Sequence, residues 1–437
     1  MKILRIICRV LIGVLFIFSG YVKAIDPVGS QIIFSEYFSA FRLDFFIPWA
    51  PFLVAYLAST AELLIGCCAL MGIRMKETAW AAMAFMIFFT ILTFILALTN
   101  LVTDCGCFGN AIKMTNWQTF FKNLIILPFV IVLFLQRKRY RSFASCRAEW
   151  ITVGILAALP VLLSVYCYRH LPLIDFMAYK VGVNISDDMS YPENAAQDEW
   201  EVVYRYEKEG KVRSFSKETM PWQDSSWVFV STQSILKKKG YEPPIHDFTI
   251  TPPDGGDYVT DSILNLPGYT FLLIMPHVEQ ASTAQADRIN ALADYCLMRD
   301  DRHFLALSGS DYSQNERFAV KTGAMYPFFT TDEKPLLSMV RSNPGLLILH
   351  EATVLAKYSR FDIPTPAQVE AKITGQNPDK IIAGYITREQ LTTDLLALLF
   401  AVAMILWGVV FRQLAKRAGN TALSAEPVDD PAKIDEI

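Results

Sequence analysis

The chain has 437 residues, 53% of them hydrophobic, with 40 Lys and Arg against 43 Asp and Glu for a formal net charge of -3. That balance carries no electrostatic footprint for nucleic acid, and five histidines scattered without ligand spacing predict no metal site. The apolar excess is uneven: it collects before Cys167 and after Leu391, and the stretch between has the composition of a soluble domain.

Six segments have the roughly 20 mostly apolar residues that cross a bilayer core about 30 Å thick. They are residues 4–22, 51–73, 79–102, 117–135, 150–167 and 395–411. The first has the basic start of a signal peptide (Lys2, Arg5, Arg9), but residues 16–24 show no small-x-small cleavage pattern, so it is expected to stay as a span. Basic residues flank alternate links: Arg74 and Lys76; Arg137, Lys138, Arg139, Arg141 and Arg147; then Arg412, Lys416 and Arg417. All lie on one side if the N terminus is cytoplasmic, which predicts both termini inside and residues 25–50, 103–116 and 168–392 outside. In the first of these, Phe34, Tyr37, Phe38, Phe41, Phe45, Phe46 and Trp49 alternate with polar groups, the pattern of a helix in the outer interface or of a packed external loop.

The loop after the third span reads Asp104-Cys105-Gly106-Cys107-Phe108-Gly109. Gly106 accepts backbone angles that let two cysteines meet, and a bridge across so short a ring is strained and easily reduced. Outside the cytoplasm the pair suits thiol–disulfide exchange; a fixed structural clip is the other reading. Cys167, at the outer end of the fifth span, is a third thiol for that pair or a buried apolar residue. Cys67, Cys68, Cys8 and Cys146 fall toward the inner side, and Cys296 falls on a helix of the outer domain as a core residue. Glu62 interrupts an apolar span, where a charge needs a partner, a cavity or a proton path. Lys23, just past the first span, reaches it only by snorkelling inward.

Three motifs in order carry a resemblance: residues 18–27 (FSGYVKAIDP), residues 61–66 (AELLIG) and the Cys-Gly-Cys-Phe-Gly loop. Together they resemble the DoxX/MauE group of bacterial four-helix membrane proteins over about the first 140 residues. The resemblance implies a four-helix bundle in a bacterial inner (cytoplasmic) membrane, a redox role, and in the MauE branch disulfide formation in an exported partner. The residues carried over are Lys23, Glu62, Cys105 and Cys107.

The outer segment divides in two. Strand-like alternation at residues 201–206 and 227–230 predicts a small β-rich subdomain over residues 169–240. Residues 241–390 then give a buried-strand run at 269–275, a helix near 284–299, a strand at 304–307 and, after Asn343-Pro344-Gly345, a hairpin at 346–358. This order resembles a thioredoxin fold, and the resemblance makes Pro344 its cis-proline. Where a redox-active member carries Cys-x-x-Cys, residues 276–281 read PHVEQA. Without a thiolate there is no nucleophile, so the domain is expected to recruit a partner or cover the membrane loop. Residues 391–412 form the sixth span, and the acidic tail 413–437 is expected to be disordered in the cytoplasm.

The fold class expected is therefore a membrane α-helical bundle of four helices plus two further spans, joined to an extracytoplasmic α/β thioredoxin-like domain preceded by a β-rich subdomain. The leading functional expectation is a periplasm-facing thiol–disulfide oxidoreductase. Cys105 and Cys107 exchange electrons between an exported or envelope protein and a membrane acceptor, a quinone being one candidate, with Glu62 handling protons and Lys23, Cys167 and Pro344 in support. The competing expectation is a non-enzymatic envelope scaffold whose cysteine pair is a clip. No internal repeat or broken-helix pair points to transport.

Overall fold

The structure, a computed structural model, describes residues 2–102, 105–140, 146–222, 224–238 and 240–423. Among the described residues, five helices are long and apolar enough to cross a membrane: α1 (Lys2–Ile25), α3 (Ala50–Met71), α4 (Met75–Thr99), α5 (Asn116–Leu135) and α6 (Cys146–His170). Between α1 and α3 runs α2 (Pro27–Ala40), which Asp26 caps by accepting from the Gly29 amide at 2.8 Å, with Pro27 preset for the first turn. The segment 25–50 is thus a packed helix followed by one 3-10 turn, Asp44–Phe46. The exposed aromatics gather past its end, with Phe45 and Trp49 projecting outward.

The bundle is tightest where α1 meets α3. A methyl group added at Gly20 would lie 2.6 Å from the Leu63 amide nitrogen, and one at Gly66 would lie 2.7 Å from that of Ile17. Glycine lets the two backbones touch, and in a bilayer such small-residue contacts do the work that apolar burial does in water. Arg5, Arg74 and the segment Arg137–Arg139 gather at one end of the bundle: Arg5 donates to the Arg139 carbonyl at 3.5 Å, and Arg74 stacks on Trp150. The cysteine loop is at the other end.

After α6 the chain passes through α7 (Ile185–Met189) into a three-stranded antiparallel sheet, β1 (Glu199–Lys208), β2 (Lys211–Phe215) and β3 (Val228–Lys238), in the order β2-β1-β3. These strands fill the second half of the interval 169–240. Tyr179, Val181 and Ile185 instead pack with Phe248, Leu272 and Val354 in the core of the domain that follows, so the small sheet is inserted into that domain.

That domain contains α8 (Thr260–Leu264), β4 (Tyr269–Met275), α9 (Ala286–Leu297), β5 (Arg302–Ser308), α10 (Tyr312–Thr322), β6 (Phe328–Thr330), α11 (Glu333–Met339), β7 (Gly345–His350), β8 (Thr353–Tyr358) and α12 (Pro366–Ile373). Its sheet order is β6-β5-β4-β7-β8, with β4, β5 and β6 parallel and β7 and β8 antiparallel. The central run Tyr269–Met275 is apolar throughout because layers cover both faces: Phe248 and Leu336 on one side, Ile289, Leu292 and Phe318 on the other. The Asn343–Pro344 bond is cis and leads into β7, as the resemblance to a thioredoxin fold implies. A parallel βαβ unit followed by a cis-proline and an antiparallel hairpin is thioredoxin-like. The last helix, α13 (Pro378–Leu423), runs continuously through the predicted sixth span, whose side chains mostly lie outside the described residues. The acidic tail beyond residue 423 lies outside them altogether.

The domain is fastened to the cysteine end of the bundle. Arg341, two residues before Asn343, reaches Asp26 at 3.4 Å with both side chains buried, and Lys357 pairs with Asp175 at 2.6 Å. Arg360 donates to the Tyr168 hydroxyl at 3.2 Å.

Candidate functional site at the cysteine loop

The loop between α4 and α5 is shaped by glycine and pinned by its neighbours. Gly106 has φ +63°, the left-handed region, and a side chain there would run into Ile33 of α2 at 2.7 Å. The Tyr37 hydroxyl donates to the Cys105 carbonyl at 2.9 Å, and Ser19 of α1 donates to the Cys107 carbonyl at 2.6 Å. Asn110 donates to Asp26 at 2.9 Å, the same carboxylate that Arg341 reaches from the far domain. α1, α2 and the Asp26 between them therefore pin the turn from Cys105 to Asn110.

The result is that the two sulfur atoms stand 3.0 Å apart, with Cys105 only 4% exposed. Either thiol can donate to the other, but the surroundings are not symmetrical. The Cys107 thiol is lowered to about 6, first by the hydrogen bond from Cys105 and then by the ammonium groups of Lys122 and Lys23. The Cys105 thiol is pushed up, because it gives that hydrogen bond and is buried. The pair is a thiol beside an incipient thiolate.

Beneath Cys107 is a cavity of about 50 Å³, lined among others by Ser19, Lys23, Glu62, Phe108 and Lys122. Lys23 lies inside α1, in its last turn, rather than just past the first span as the sequence reading has it. That extra length of helix, together with the glycine contacts of α1 and α3, brings its amino group to 2.6 Å from Glu62 with no need to snorkel. Both are nearly inaccessible, at 5% and 2% exposure. Lys23 also donates to Ser19 at 3.2 Å, so a continuous polar path joins Glu62, Lys23, Ser19 and the Cys107 carbonyl. The second oxygen of Glu62 is buried without a hydrogen-bond partner among the described residues, and the cavity is large enough for a water molecule to serve it.

Of the residues singled out in the sequence, Lys23, Glu62, Cys105 and Cys107 come together. Cys167 does not join them: it is buried on α6 beside Tyr21 and Tyr56, with no contact to either loop sulfur among the described residues. Pro344 belongs to the other domain. Lys122 and Ser19 are not singled out by the sequence as site residues, and Tyr37 only as one of the external aromatics; the signal for Lys122 is its standing as the lone charge inside an otherwise apolar window of α5.

At the place of the missing Cys-x-x-Cys, His277 pairs with Glu333 at 3.0 Å while Glu279 accepts from Ser310 at 3.2 Å, so the two do not form an acid–base pair with each other. The one described thiol of this domain, Cys296, is sealed in the core, and burial pushes it up to about 12. It is an inert packing residue.

Residues 1–136 match the MauE family, described as methylamine utilisation protein MauE. The match spans α1 to α5, so the MauE-like part holds the whole cysteine site, and α6 and the thioredoxin-like domain lie beyond it. Residues 200–239, the inserted sheet, match a domain family of unknown function, DUF8463. No curated protein matches the chain. Among solved structures, a thioredoxin-like protein from Aeropyrum pernix is 13% identical, covering 29% of this chain and 86% of its own, with a TM-score of 0.24. A putative protein disulfide isomerase from Bacteroides thetaiotaomicron is 15% identical, covering 33% of this chain and 91% of its own, also at 0.24. A secreted Mycobacterium tuberculosis disulfide oxidoreductase homologous to E. coli DsbE is 10% identical, covering 31% and 94%, at 0.21.

Proposed function

We propose that the protein is a thiol–disulfide oxidoreductase of a bacterial inner membrane. Cys105 and Cys107 cycle between dithiol and disulfide at the non-cytoplasmic face. The observation that carries this reading is two thiols held 3.0 Å apart, one of them drawn toward the thiolate, above a buried Lys23–Glu62 pair. A structural clip has no use for a low-lying thiol or for an ion pair whose desolvation is costly. The orientation follows from the basic residues gathered at the opposite end of the bundle, under the positive-inside rule.

In the oxidising direction, a sulfur–sulfur bond forms between Cys105 and Cys107, and two electrons pass with the proton released to a membrane-soluble acceptor of the quinone class, Glu62 relaying the proton. A lipid-facing groove of about 600 Å³, lined by Phe34, Tyr37, Phe88 and Phe89, suits such an acceptor in size and apolarity. It shares Phe85 and Phe89 with the wall of the Cys107 cavity. The thioredoxin-like domain, redox-silent for want of a Cys-x-x-Cys pair, recruits the exported or envelope partner.

A second reading has its own support. Cys105 is nearly sealed beneath Tyr37, and a clip in a scaffold would be buried in the same way. One experiment separates the two. Cys105→Ser and Cys107→Ser each abolish disulfide exchange in a carrier and leave a scaffold's partner binding intact. Alkylation of intact cells with and without a membrane-permeant reductant reads whether the bridge cycles. Indifference of both readouts to both substitutions removes the oxidoreductase.

A further inference from the structure

Among the described residues, the charges around the Cys107 cavity do not balance unless sulfur takes part. α1 contributes Lys23, α3 contributes Glu62 and α5 contributes Lys122, while α4 contributes only Phe85, Met86 and Phe89. From α2, Tyr37 bonds to the Cys105 carbonyl. Lys23 and Glu62 cancel each other at 2.6 Å. Lys122 is left over: it has no carboxylate within ion-pair distance among the described residues, and its ammonium stands 4.3 Å from the centre of the Phe108 ring, directly beside Cys107. An aromatic face is worth only about 0.5–2 kcal/mol to a cation and brings no opposite charge to this half-buried one. Among the described residues lining the same cavity, the group that can supply the missing negative charge is the Cys107 sulfur.

We infer that Lys122 is a positioning residue that holds Cys107 as the resident thiolate, so that the reduced pair carries a single proton, on Cys105. The inference rests on the redox reading above and assigns unequal roles to the two cysteines. Oxidation is then Cys105–SH plus Cys107–S⁻ giving the disulfide, one proton and two electrons. A quinone-class acceptor takes both electrons, the proton from Cys105 and a second proton from solvent. Cys107 is the sulfur that attacks, and it is also the one that opens onto the membrane cavity. Cys105, packed under Tyr37 and Ile33, is the one that donates a hydrogen bond and waits.

The test uses the full-length reduced protein in detergent micelles. Iodoacetamide is pulsed between pH 5 and 9, and each cysteine is followed separately by mass spectrometry. Cys107 is expected to alkylate with a midpoint below neutrality and Cys105 to lag behind it by tenfold or more at pH 7. Lys122→Met moves the Cys107 midpoint up by ~1 unit or more, the size expected for removing a cation that lines the same small cavity, while Lys122→Arg leaves it in place. A wild-type redox titration against pH, which needs no variant and so survives a folding defect, is expected to show one proton per two electrons at pH 7. An unmoved midpoint in Lys122→Met, Cys105 as the faster thiol, or two protons per two electrons each overturns the inference. Failure of the carrier reading is distinguishable: the midpoints would stand, but no cycling would be seen in cells.

Discussion

The two halves of this molecule hold opposite parts of a redox protein. The thioredoxin-like domain has the scaffold: a parallel βαβ unit, the cis-proline and a hairpin, yet no cysteine where the chemistry belongs. The MauE-like bundle has no such scaffold but holds two thiols within 3.0 Å of each other. The contrast teaches that fold and function separate along residue lines. A fold supplies a place, and the chemistry depends on which atoms occupy it. Here the place lies in one domain and the sulfur in the other, and the Arg341–Asp26–Asn110 chain connects the residues beside the cis-proline to the cysteine loop.

The sharpest way to break that contrast is to damage the bundle site without touching a sulfur. Glu62→Ala leaves the Lys23 ammonium buried and unpaired, which is expected to cost ~3–5 kcal/mol, so the variant unfolds markedly earlier in a thermal melt. Glu62→Gln keeps a hydrogen-bond acceptor for Lys23 and should recover part of that loss. If Glu62→Ala melts like the wild type, the ion pair is not formed and the polar path to Cys107 has no anchor. The next effect is smaller. Arg341→Ala removes one of three donors to Asp26 and unfastens the domain from the loop, at about 1–3 kcal/mol for the buried carboxylate left short of a partner. Its readout is limited proteolysis between α6 and β4, expected to speed up, with the Cys107 alkylation midpoint unchanged. A shifted midpoint would mean that the domain reaches into the chemistry, and the separation drawn above would be wrong.

Most of this architecture was legible in the sequence because its signals are periodic or compositional. Apolar windows of span length located α1, α3, α4, α5 and α6, and the unbroken apolar run 269–275 located the central strand, since a buried parallel strand needs no polar face. The site was only half legible. Cys105, Cys107 and Glu62 announce themselves by type and setting. That Lys23 pairs with Glu62 does not follow from any spacing between them, 39 positions apart; it follows from Gly20 and Gly66 letting two helices touch. Lys122 was passed over because one charge near the end of a span ordinarily snorkels outward, and only the packing of Phe108 shows it turned toward sulfur. Cys167 misled for the opposite reason: it lies on the right side of the bundle by topology, but on a helix whose inward face meets Tyr21 and Tyr56 rather than the loop.

The smallest expected effect tests the silent half. His277 occupies the position where an active thioredoxin relative would begin its motif, and its half-exposed ring bonds to Glu333 at 3.0 Å. Exposed pairs of this kind contribute little, because water solvates both groups well when they part. His277→Ala is therefore expected to change exchange through Cys105 and Cys107 by less than about twofold and to leave the melting midpoint almost where it was. The measurement is the rate of reduction of an added disulfide peptide by full-length protein. A loss of tenfold or more would place an acid–base group of the domain in the reaction path, and the domain would then be a partner in catalysis rather than a surface for recruitment.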